Sequence, residues 1–320
     1  MNISIIPWLA LLFLYTTASL VPAQRSPNLQ LPHRSVPVNA TVFPRDPPGF
    51  GVHVYLHIVR PLNTEKVYLA AIAVIHDWAF EGWNAFIPSR STRFTKTTYG
   101  ITISWRSIAY ARERDQLQMK HLILGMLHLI ERMTEQHIFC VSTSSVQLYM
   151  QGVGHIELLP SETLARNNVS DEGLAALHNT SLRAPRAQNL TSKRKIVDPT
   201  DSDFAILYER NGEVISFVDF LSAVLYAMAT AAQASNDQHC RDLAGFNIKR
   251  NVVYRINGGR TTELGPPLTY GSVRRGLQLL SAALYDEDIA GEVRFQFLYQ
   301  GDVLGVGNIA LSDFASSTAR

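Results

Sequence analysis

Two stretches of this chain, residues 51–159 and 204–311, run through the same succession of apolar patterns, and that duplication limits the fold more than any other feature. In the first, Val52, Val54, Leu56 and Ile58 alternate with His53, Tyr55 and His57, the period of a half-buried strand. Val67 to about Trp83 then carries Val67, Ala70, Ala71, Val74, Ile75 and Trp78 on one helical stripe. Ile101–Trp105 alternates again. Leu117–Met133 makes a second helix, and two strands joined at glycines, over 145–151 and 152–159, close the half. The second half repeats the order with strands at 204–209, 251–256, 292–299 and 302–311 and helices over 214–234 and from the N-cap Thr269 onward. Alternating strands need one dry face, and amphipathic helices supply it. The fold class is therefore α+β, two similar modules, each a mostly antiparallel sheet of about four strands with two helices on one face.

The ends of the halves show the repeat most openly. Val146–Leu158 and Phe295–Leu311 each read as an alternating strand, a glycine turn and a Gly-x-(His/Asn)-Ile-x-Leu strand. Gly152, Gly154, Gly301, Gly305 and Gly307 lead from strand to strand and not into a helix, so no helix N-terminus stands ready for a phosphate. Tight turns at positive φ are the expected role. No cofactor is expected.

Between the halves, residues 160–203 lack apolar periodicity and read as a linker. The sequons Asn168, Asn179 and Asn189 fall inside it, and the dibasic pair Lys193-Arg194 resembles a secretory processing site. Residues 1–23 read as a secretory signal cleaved after Ala23, with an uncleaved signal anchor as the alternative. Residues 24–50, with Pro27, Pro32, Pro37, Pro44, Pro47 and Pro48, read as an extended arm carrying a fourth sequon at Asn39, and 312–320 as a polar tail. These features point to a secreted or extracellular glycoprotein with no membrane span after cleavage, or to one tethered by that anchor. An extracellular protein or glycan is the partner class. A net charge of +2 provides no field for nucleic acid, and 46% apolar with 18% charged residues is the composition of a packed globule. The two cysteines, Cys140 and Cys240, are expected to pair across the linker.

Candidate chemistry is sparse. His53 and His57 share a strand face about 13 Å apart, too far for one ion, and His121 with His128 lacks a third ligand, so no metal site is expected. Asp77, Glu81, Asp286, Glu287 and Asp288 are the acids available to a secreted hydrolase, and Ser272 lies at a helix start without a patterned base. No catalytic set emerges. A non-catalytic binding or structural protein is the favoured reading and an acidic hydrolase the alternative.

Leu268-Thr-Tyr-Gly-Ser-Val-Arg-Arg-Gly-Leu-Gln-Leu-Leu280, followed by the late glycine-containing strand, resembles a helix-start motif of uncharacterised secreted proteins of filamentous fungi. The resemblance implies an exported fungal glycoprotein and brings no activity with it.

Overall fold

The computed structural model describes residues 44–87, 93–108, 116–161, 193–210, 213–247, 251–259, 266–287 and 291–312. The expected signal, the four sequon asparagines and Asp288 lie outside them, as do most of the linker and residues 313–320. The described elements belong to one compact unit within Val38–Arg320.

The first module runs β1 (Phe50–Pro61), α1 (Thr64–Glu81), β2 (Phe94–Thr98), β3 (Ile101–Ser107), α2 (Met119–Gln136), β4 (Cys140–Leu148) and β5 (Gln151–Pro160). The second adds a short strand, β6 (Arg194–Asp198), before β7 (Asp201–Arg210), α3 (Phe217–Ala231), β8 (Asp242–Asn247), β9 (Val252–Gly258), α4 (Tyr270–Asp286), β10 (Val293–Tyr299) and β11 (Asp302–Leu311). The sheets are antiparallel throughout, ordered β1-β4-β5-β3-β2 and β6-β7-β10-β11-β9-β8. With β6 set aside, the second order is the first with each strand replaced by its repeat. The match extends to single bonds: Tyr149 N donates to Gly49 O at 2.7 Å, and Gln300 N to Asp203 O at 2.8 Å. Each helix-start residue bridges back to the segment that follows the module's first helix, Gln118 to Phe86 and Thr269 to His239.

Five and six strands replace the expected four. The sequence pattern overlooks β2 and β8, which are short, and β6, which lies inside the expected linker. Arg194, half of the dibasic pair, opens β6 and ion-pairs with Glu287. The described linker is correspondingly shorter than 160–203.

The helices form the middle of the molecule. α1 is buried without a break from Val67 to Ile75, and α3 from Phe220 to Ala231. A helix apolar all round must be covered all round. Each lies on its own sheet and against the other, so the layers run sheet, helices, helices, sheet, around one continuous core. α2 and α4 bury only a stripe and flank this pair. Among the described residues no helix is long and apolar enough to cross a membrane.

Local chemistry sets the helix ends. Asn63, Ser216 and Thr269 accept from the backbone N–H of Lys66, Asp219 and Ser272 at 2.9, 3.1 and 3.1 Å. Ser272 is therefore a helix-start residue whose N–H serves the cap. At the other end of α3, the buried Arg274 donates to Ala231 O, Ala234 O and Asn236 Oδ1, and so satisfies carbonyls that α3 leaves open.

The glycines correct one expectation. Only Gly301 of the five named above has positive φ, +91°, in the β10–β11 turn. Gly307 is needed for space, because a Cβ there would come within 2.4 Å of the Phe295 ring. In the first module the corresponding turn is Tyr149-Met150, at φ +50° and +66°, with no glycine at all.

The expected disulfide is also corrected. Cys140 and Cys240 are separate, buried free thiols. Cys140 opens β4 in the first sheet, and Cys240 precedes β8 at the far edge of the second, its N–H on Leu268 O at 2.8 Å. Each fills its own module's interior as a small apolar residue. Burial pushes the Cys240 thiol up to about 12.

Candidate functional site

A cleft of about 200 Å³ opens where the modules meet. α1 contributes Tyr68, α2 contributes Ile130, Glu131, Thr134 and Glu135, and His137 follows α2 in the left-handed conformation at φ +54°. The second module supplies Ser222, Leu225 and Tyr226 from α3 and Asn247 from the end of β8. Neither module makes this wall alone.

The polar lining is ordered by hydrogen bonds of fixed direction. Thr134 Oγ1 donates to Ile130 O at 2.7 Å, so in its 2.6 Å contact with Tyr68 it accepts the phenol proton. Tyr226 Oη donates to Glu131 Oε1 and ties α3 to α2. Asn247 Nδ2 donates to Ser222 Oγ at 2.9 Å. Behind Glu131, its other carboxylate oxygen lies 3.8 Å from His128 Nδ1, and His128 Nε2 is 2.9 and 3.1 Å from the two oxygens of Asp46. The cleft thus presents carboxylates, phenol and hydroxyl oxygens and an amide over the apolar Ile130 and Leu225. That combination orients a compact ligand with several hydrogen-bond donors.

The residues proposed from sequence lie elsewhere. His53 and His57 stand exposed on the outer side of β1. His121 is buried, accepts from Gln118 N at 3.1 Å and stacks on Phe50, while His128 serves the chain to Asp46. Among the described residues no three His, Cys, Asp or Glu side chains gather as a metal site. Asp77 is held by Lys96 and His76; burial would raise its carboxyl, but these partners outweigh it and keep it below the usual range. Glu287 is held by Arg194 and by Tyr208 Oη at 2.7 Å. The two acids serve separate ion pairs, and neither Glu81 nor Asp286 shares one with them. The cleft residues were missed because Glu131 and Tyr226 are 95 positions apart. The available signal was a phenol in the middle of α3, whose neighbours are almost wholly apolar.

No family model matches the chain, and no curated protein matches it. A solved structure with some likeness is the tandem DUF26 ectodomain of the Arabidopsis thaliana cysteine-rich receptor-like protein PDLP5. The identity is 8%, the coverage is 81% of this chain and 98% of that chain, and the TM-score is 0.20.

Proposed function

We propose that the protein is an exported, glycosylated, non-catalytic binding protein whose ligand site is the cleft between its two modules. The observation that carries this reading is the cleft itself, walled by both halves and lined by acceptors whose hydrogen bonds fix their orientation. Export and glycosylation rest on the signal pattern at 1–23 and on the sequons at Asn39, Asn168, Asn179 and Asn189. The space suits one sugar ring or one long side chain, in keeping with an extracellular glycan or protein partner.

Saturation-transfer NMR of the secreted protein with a panel of free mono- and disaccharides, and with short peptides, tests the site. One of these classes gives signals that weaken about tenfold in Glu131→Gln, the scale of a lost hydrogen bond to a charged acceptor. Ligands that bind equally well to Glu131→Gln, or a panel that gives no signal at all, would overturn the assignment.

A further inference from the structure

The outer edge of β1 is bare where the matching edge of β7 is covered. β6 runs antiparallel along β7, with Arg194 opposite Tyr208 and Ile196 opposite Ile206. On the core side of β7, Phe204, Ile206 and Tyr208 are 2%, 0% and 3% exposed. Their counterparts follow from register. Phe50 lies opposite Leu148 just before the Tyr149-Met150 turn, as Phe204 lies opposite Tyr299 just before Gln300-Gly301. Phe50, Val52 and Val54 thus take the places of Phe204, Ile206 and Tyr208, yet all three are only half-buried. No described strand pairs with this edge. Backbone N–H and C=O groups in a row beside half-exposed branched side chains form an acceptor for an extended segment.

We infer that the edge of β1 is a strand-docking site and that its occupant is this chain's own segment 40–43, Ala-Thr-Val-Phe. Counting back residue for residue from Phe50 and Phe204 sets Ala40 at Arg194, Thr41 at Lys195, Val42 at Ile196 and Phe43 at Val197. Branched Val42 would then lie over the core beside Val52, as Ile196 lies beside Ile206. Pro44, where the described chain begins, matches Asp198, the last residue of β6, a strand end at which a missing N–H costs little. A helix side chain holds the chain near each of these strand ends: Asp46 bonds His128 of α2, and Asp198 at the end of β6 bonds Arg275 of α4. The chain outside the described residues therefore starts at the mouth of the edge and is long enough to run its length. Asn39 matches Lys193, just beyond the strand, so carbohydrate there would stand at the rim of the edge. Docked, the segment seals a surface that would otherwise recruit a second copy edge to edge.

Pairs of cysteines in the full chain read the register. Thr41→Cys with His53→Cys, the counterparts of Lys195 and Leu207 on the solvent side, closes an intramolecular disulfide in the monomer. Thr41→Cys with His57→Cys, four residues along the strand and about 13 Å further, closes it at least about tenfold less. Hydrogen exchange gives a second reading, since Val42→Asp speeds exchange of the β1 amides about tenfold or more while leaving those of β10 unchanged. Equal closure of both pairs, bridges formed between copies, or β1 exchange indifferent to Val42→Asp would each overturn the inference.

Discussion

Met150 stands at the second position of the β4–β5 turn with φ +66° and 92% of its surface exposed. A side chain at that backbone angle costs roughly 1 kcal/mol, and here no contact is seen to compensate. The repeat supplies the comparison, since Gly301 occupies the matching position. Met150→Gly should raise the unfolding free energy by about 0.5–1 kcal/mol, read from the urea midpoint at unchanged slope. His121 works in the opposite sense. Burial, with a lesser contribution from Lys120, holds its imidazole down at about 4, below the ordinary 6.5, and the neutral ring accepts from Gln118 N. The unfolded chain therefore takes up this proton first. The stability His121 contributes is complete above pH 6.5 and is lost as the pH falls from 6.5 towards 4, by about 3 kcal/mol in all. Urea midpoints at pH 7 and pH 4.5 should show the loss, and His121→Gln, which keeps the acceptor, should reduce it.

At the level of elements, helix and strand order was legible because the patterns are long: the alternation through 52–58 and 293–299 and the apolar stripe of α1 require no tertiary knowledge. The short strands were not. Phe94–Thr98 is five residues of which three are Thr, and Arg194–Asp198 opens with two basic residues; both are strands because a neighbour offers a ladder, which local preference does not encode. The cleft was illegible for a related reason, since it depends on how α2 meets α3. Helix-to-sheet packing also rests on residues whose sequence signal is slight. Gly276 lets α4 sit on β7 and β10, and a Cβ there would come within 2.5 Å of the Phe297 ring and 2.7 Å of Ile206. Its repeat partner Gly125 has more room, with Ile156 at 3.0 Å and Val146 at 3.2 Å. Gly276→Ala should therefore cost roughly 1–3 kcal/mol despite alanine's better helix propensity, and Gly125→Ala less. Chemical denaturation of the two variants side by side checks the order.

For the whole molecule, the duplication has become a single folding unit. α1 and α3 are too apolar to face water, and each is covered by the other module's helices, so a separated half would expose a large apolar face. Polar ties cross the same boundary: Tyr226 to Glu131, and Asn236 Nδ2 to Phe80 O at 3.1 Å. Both faces of the cleft exist only while the modules are paired, which links the proposed ligand site to the integrity of the fold. The direct test is scanning calorimetry of the intact protein. A single folding unit gives one cooperative transition in which the calorimetric and van't Hoff enthalpies agree. Two resolved transitions, or a calorimetric enthalpy about twice the van't Hoff value, would mean that the modules unfold independently and would contradict it.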